Sequence, residues 1–289
     1  MEALKTYLQQ HYSPETAKAY QREIEIYLSN CKAAEKAVYK DITDYIGLLR
    51  TRYKKPATIS RIVSSIKVYY DWLCSEGIRN DNPTKAIKLR DRRTRDIQLQ
   101  DLFIAEELEQ LLNRKERYLN LETRNKVLIS LLIYQALYPQ EMEAVNVTDI
   151  NLQEGNIYIK ATPKTNSRTL QLKPNQILLF QEYITVVRSM LLNGNQSNAL
   201  LVSIRGEPMS GEDITKHVKR SFKHVYAGRK VNAQTIRQSV ITNLLKQGHD
   251  ISVVQAFAGH KYPSSTERYK QNEIETLQAA VNKYHPFNL

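Results

Sequence analysis

Cysteine is almost absent, with Cys31 and Cys74 the two in 289 residues. Two thiols in separate helical contexts supply neither a disulfide framework nor a metal-ligand set, so both are expected as buried thiols in a reducing compartment. Long apolar runs are missing as well. The most apolar stretch, KVLISLLIYQAL, is too short and too interrupted to span a bilayer, and MEALKTYLQQHYS has no basic segment leading into an apolar one. A cytoplasmic protein with no membrane partner is expected. Acidic residues are in deficit: 30 Asp and Glu stand against 42 Lys and Arg, a formal charge of +12. That is the sign expected of a chain whose partner is a polyanion. With 42% hydrophobic residues the chain is apolar enough for a core, and its length suffices for two ordinary domains. There is no internal repeat and no low-complexity tract.

What is present in the first ninety residues is helical. SPETAKAYQREIEIYLSNC opens with Ser13 as N-cap and Pro14 at the first helical position, and sets Ala19, Ile24, Tyr27 and Leu28 on one face. DITDYIGLLRTRY repeats the pattern with Asp41 as its expected cap. In PATISRIVSSIKVYYDWLCSEG, Ile59, Ile62, Val63, Ile66, Tyr70 and Leu73 recur at three- and four-residue steps and Gly77 ends the run. Its other face carries Ser60, Arg61, Ser64 and Lys67. Residues 1–90 are therefore expected to form a helical bundle with a basic flank, in which Arg61 and Lys67 are candidate polyanion contacts. Residues 91–101 continue it as an extended basic linker, and Arg90, Arg92, Arg93 and Arg95 are placed to cross a phosphate backbone.

Residues 102–289 are expected to form the second domain. IAEELEQLL is acidic in its first turn, as a helix N-terminus favours. RNKVLISLLIYQAL is apolar on nearly all sides, which predicts a buried central helix broken by Pro139. NIYIK and RTLQLK flank the turn-like ATPKTNS, predicting a β-hairpin or three-stranded sheet. Helices return with NQILLFQEYITVVRSMLL, GEDITKHVKRSFKHVY, AQTIRQSVITNLLKQG and DISVVQAFAG. The fold class is thus mainly α with one small antiparallel sheet.

Three side chains stand out for chemistry. Asp250 caps a helix that Gly259 stops, so His260 emerges at its end, and Ser264 and Glu267 have capping-box spacing just before Tyr269. A phenol with a pKa near 10 is a poor nucleophile without cationic help. Arg237 lies on a helix whose Ile236, Val240, Ile241, Leu244 and Leu245 are apolar, and so close to the core its charge needs an anion, either an internal carboxylate or an external ligand.

The order and spacing of FAGHKYPSSTERY, QTIRQSVITNLL and PKTNSRTLQL resemble the tyrosine recombinases of the Xer and phage-integrase group over essentially the whole chain. The resemblance implies an N-terminal core-binding bundle and a C-terminal catalytic domain that together hold duplex DNA. It implies Tyr269 as nucleophile, Arg237 and His260 as phosphate-site residues, and Lys164 in the hairpin. It also implies a 3′-phosphotyrosyl intermediate formed without ATP or metal. A homo-oligomer, dimer or tetramer, is the expected assembly on DNA, with accessory DNA-bending proteins a further partner class. The tail NEIETLQAAVNKYHPFNL sets Ile274, Leu277, Val281 and Tyr284 on one helical stripe, suited to docking on a neighbouring subunit or on its own domain.

Two elements depart from the family pattern. YQALYPQEM puts Tyr138 where the first arginine belongs and Ala136 where a glycine belongs, while keeping Glu141; Gln234 and Gln238 stand where histidines flank the second arginine. Glutamine donates a hydrogen bond but does not shuttle a proton. Three classes follow: a recombinase with an atypical site, in which Arg168 or Arg124 replaces the missing cation; a recombinase-derived DNA-binding or accessory protein that no longer cuts; and a helical fold in which Tyr269, His260 and Arg237 are structural.

Overall fold

Helices α1 (Glu2–His11), α2 (Pro14–Asn30), α3 (Tyr39–Arg52) and α4 (Pro56–Ser75) build the first of two units in a computed structural model. The structure describes residues 2–31, 33–89, 102–223, 225–226 and 228–269. Linker arginines Arg90, Arg92, Arg93 and Arg95 and the tail stripe lie outside the described residues. The units divide between Arg95 and Asp96.

In the first unit, Ser13 Oγ accepts the Thr16 amide and Pro14 starts α2, as the sequence predicts. Ile59, Ile62, Val63, Ile66, Tyr70 and Leu73 of α4 are buried against Ile24 and Tyr27 of α2 in one core. Gly77 closes α4 at a φ of 70°, a conformation that side chains with a Cβ disfavour. Asp41 is not the cap of α3. The helix begins earlier, and the Asp41 carboxylate reaches back from its first turn to accept the Val38 amide at 2.8 Å. Both cysteines are half-buried rather than buried, because each sits at a helix end where the core thins.

The second unit is centred on α6 (Leu119–Tyr134), whose Val127, Leu128, Leu131 and Leu132 are fully buried. Pro139 does not end this helix. It ends at Tyr134, and the chain turns through Ala136 in the left-handed region at φ 51°, so Pro139 opens α7 (Pro139–Ala144) instead. Strands β1 (Ile150–Asn151), β2 (Asn156–Ile159) and β3 (Arg168–Gln171) form an antiparallel sheet in that order, with Ile157 opposite Leu170 and Ile159 opposite Arg168. Helix α8 (Pro174–Glu182) runs through a π-helical turn, Tyr183–Val187, into α9 (Arg188–Leu192). Helices α10 (Gly211–Ser221), α11 (Ala233–Lys246), α12 (Ile251–Ala258) and α13 (Pro263–Glu267) follow, after the short α5 (Ala105–Gln110) at the unit's start. Asp250 caps α12 as expected. The capping box of Ser264 and Glu267 does not form: Pro263 takes the first helical position, so Ser264 falls inside the first turn and Tyr262 precedes it. Among the described residues no helix is long and apolar enough to cross a membrane.

Candidate active site

Arg237 is the largest fully buried side chain among the described residues, 1% exposed on α11, which Asn232 caps through the amides of Gln234 and Thr235. Its Nη1 donates to the Ala136 carbonyl and its Nη2 to the Ala258 carbonyl at 2.6 Å, so it staples the α6–α7 corner to the end of α12. Its Nε is buried without a partner. Tyr138, held extended before Pro139 (φ −76°, ψ 150°), lays its ring over the guanidinium at 3.9 Å from Cζ to centroid.

Glu141, from the first turn of α7, is the carboxylate of the site and is 1% exposed. It binds Arg168 of β3 at 2.7 Å and accepts from Thr165 Oγ1 at 2.7 Å and from the Tyr138 amide at 2.8 Å. Arg237 is 4.0 Å away. Burial alone would push the Glu141 carboxyl up; the Arg168 fork, with the Tyr138 amide and Thr165, outweighs it and holds the group below the usual carboxylate range. Two guanidiniums therefore share one carboxylate in a buried site. The internal-anion account of Arg237 is satisfied only in part, and a positive charge is left over.

His260 follows Gly259, whose φ of 69° stops α12 and whose carbonyl accepts the Asn166 amide at 2.8 Å. A Cβ on Gly259 would lie 2.4 Å from Arg168 Nη1, so the close approach needs glycine. His260 is buried, with Nδ1 2.9 Å from Thr266 Oγ1. Burial first, then Arg237 and Arg168, lower its pKa to about 4. The ring is neutral at pH 7 and Nε2 is the nitrogen left for chemistry. Tyr269 follows α13; its ring stacks on His260 with centroids 6.1 Å apart. It is 8% exposed, and burial, with the Tyr138 phenol adding, raises its pKa against the pull of Arg237 and Arg268.

Tyr138, Arg237, His260 and Tyr269 thus come together. Lys164 is exposed at the hairpin tip, and Gln234 is exposed in the first turn of α11. Both proposed substitute cations already have partners. Arg168, beside Arg237, donates to Glu141 and the Phe257 carbonyl, and Arg124 is buried elsewhere, on Asn125 and the Val202 carbonyl. Sequence reasoning missed Thr162, Thr165 and Thr266; the Thr-Pro-Lys-Thr spacing, which favours a hydroxyl-closed turn, was the available signal for the first two. Among the described residues no three His, Cys, Asp or Glu side chains gather as metal ligands.

Residues 102–275 match the model of the phage integrase family. The chain belongs to that family. Residues 2–77 match the family's N-terminal SAM-like domain. Among curated members, the tyrosine recombinase XerD of Oceanobacillus iheyensis is 28% identical, over 95% of this chain and 93% of that protein. XerC of Lactobacillus leichmannii is 26% identical, over 95% and 94%. Solved structures share the fold: XerH bound to palindromic difH substrate superposes with a TM-score of 0.70 at 19% identity, covering 90% of this chain and 76% of that one. A lambda integrase dimer bound to a COC′ core site gives 0.69 at 15% identity, covering 93% and 94%.

Proposed function

We propose that this integrase-family chain is a site-specific recombinase that cuts and rejoins duplex DNA for integration, excision or inversion. The observation that carries it is the buried pair of guanidiniums on one carboxylate, set beside a buried Tyr–His stack: an anion seat with a nucleophile at its edge. Relatives named as tyrosine recombinases, and family folds solved on DNA and as a dimer, support DNA and further copies of the chain as partners.

Tyr269 Oη attacks the phosphorus in line; the P–O5′ bond breaks, leaving a 3′-phosphotyrosyl ester and a free 5′-hydroxyl. One ester replaces another, so the reverse attack rejoins the strand. Arg237 donates to the non-bridging oxygens as charge develops on them, its Nε being without a protein partner. His260 Nε2 donates to the phosphate or takes the Tyr269 proton, and solvent takes it otherwise. Lys164 gives a proton to the departing 5′-oxygen. Tyr138, standing where the family pattern has an arginine, contributes a phenol in place of a charge, which makes the site atypical and its cleavage slow.

The test is covalent capture of duplexes from a random-sequence library. Wild type is expected to form a denaturant-stable adduct at a recurring sequence, and Tyr269→Phe to bind the same duplexes without one. Adduct formation by the Phe variant refutes the nucleophile; binding without any adduct by wild type leaves a recognition protein on this fold.

A further inference from the structure

The sheet register ends at Ile159 opposite Arg168, and the segment between, which carries Lys164, lies beyond the last strand pair. Two threonine hydroxyls hold it. The Thr162 amide donates to the Thr165 carbonyl at 2.9 Å. Thr162 Oγ1 accepts the amides of Lys164 at 3.2 Å and Thr165 at 3.0 Å. The two hydroxyl oxygens are 2.8 Å apart, and Thr165 Oγ1 lies 2.7 Å from Glu141 Oε1.

The direction of this chain of bonds follows from the carboxylate. Glu141, held ionised by Arg168, only accepts, so Thr165 donates to it. The Thr165 oxygen then receives the Thr162 proton, and Thr162 is left with both lone pairs for the two amides. Both hydroxyl protons are thus used in one sense, from the Lys164 amide to Glu141. Thr165 is fully buried, and its backbone bridges to His260 across the end of α12, while Lys164 itself is exposed. The lysine's amine is carried on a flexible stem; its backbone is pinned to the carboxylate and the histidine of the phosphate seat.

We propose that Thr162 and Thr165 are positioning residues that set Lys164 over the leaving oxygen by tying the hairpin tip to Glu141. The inference rests on the recombinase reading, in which Lys164 protonates O5′ as the P–O5′ bond breaks. Its signature is chemical. Replacing the bridging 5′-oxygen by sulfur makes a leaving group that departs without a proton, a thiol's pKa being about 8.5. A misplaced acid then slows cleavage of the oxygen ester and spares the phosphorothiolate.

The probe is a duplex recovered by covalent capture on wild type, made with either a 5′-oxygen or a 5′-sulfur at the cut. Thr165→Val is expected to form adduct about 10- to 100-fold more slowly on the oxygen duplex. It should match wild type on the sulfur duplex, with Thr165→Ser restoring the rate and DNA binding unchanged. Thr162→Val, at a half-buried position, should show the same selectivity, and it decides the matter if Thr165→Val fails to fold. Equal slowing on both duplexes, or no slowing on either, overturns the positioning role and leaves the recombinase reading intact. If wild type captures no DNA, that reading falls and the inference falls with it.

Discussion

The Tyr138 ring covers the face of the Arg237 guanidinium, 3.9 Å from Cζ to centroid, and its own amide is held by Glu141. One aromatic residue thereby covers the charge to which the proposed mechanism assigns phosphate binding, from a corner fixed by Pro139. The ring and the hydroxyl have separable roles.

Tyr138→Phe keeps the stacked ring, so stability should hold, while any hydrogen bond from the phenol to phosphate is lost. A bond to a charged oxygen is worth about 1.5–3 kcal/mol, and cleavage should slow by roughly 10- to 100-fold. Tyr138→Arg should do the reverse on both counts. It adds a third cation beside Arg237 and Arg168, lowering the melting temperature without DNA, and it speeds adduct formation once phosphate is present. Single-turnover capture and thermal unfolding with and without DNA check both; a Tyr138→Arg variant that cleaves no faster refutes the vacancy.

The Glu141–Arg168 pair is buried, with side chains 0% and 7% exposed. Removing one partner strands the other, which costs on the order of 3–5 kcal/mol. Glu141→Ala and Arg168→Ala should each lower the unfolding free energy by that amount, measured by urea unfolding. The double variant Glu141→Leu with Arg168→Met should lose less than the sum, because the charges couple. Additive losses would show that the two do not act as a pair.

Much of this site was legible in the chain, for reasons that are local. Gly259 before His260, Asp250 before α12 and the apolar spacing of α4 are short-range signals, and each does in the structure what its spacing implies. Long-range pairings were not legible. Nothing in the neighbourhood of Arg168 says that its partner is Glu141, 27 residues earlier. The end of α6 was misplaced because Ala136 takes a left-handed turn that glycine would advertise, and the Arg237 bond to the Ala136 carbonyl that accompanies it comes from 101 residues away.

Two histidines set a pH window. His217 and His260 each have a pKa lowered from 6.5 to about 4, by burial first and then by Arg124 for His217 and Arg237 for His260. Below pH 6.5 the unfolded chain takes up a proton that the folded one refuses. The stabilisation is therefore complete above about 6.5 and is lost as pH falls toward 4. Urea midpoints should decline across that window, and His217→Gln should flatten part of the slope without touching the site. A slope unchanged in His217→Gln would place the titration elsewhere.

The basic flank of α4 gives a last prediction, because its two candidate cations are held differently. Arg61 pairs with Glu23 at 2.7 Å and stays 47% exposed, whereas Lys67 Nζ donates to the Ile87 carbonyl at 2.6 Å from a half-buried position. An exposed guanidinium can trade a carboxylate for a phosphate; an ammonium spent on a buried carbonyl is costly to withdraw. Glu23→Gln should free Arg61 and tighten binding to all duplexes alike, since backbone contacts carry no base information. Arg61→Gln should weaken binding and reduce the slope of log affinity against log salt by about 0.9, the value of one phosphate contact. Lys67→Met should lower stability and leave that slope alone. If Lys67→Met changes the slope and Arg61→Gln does not, the phosphate contact belongs to Lys67, and the Arg61–Glu23 pair is part of the scaffold.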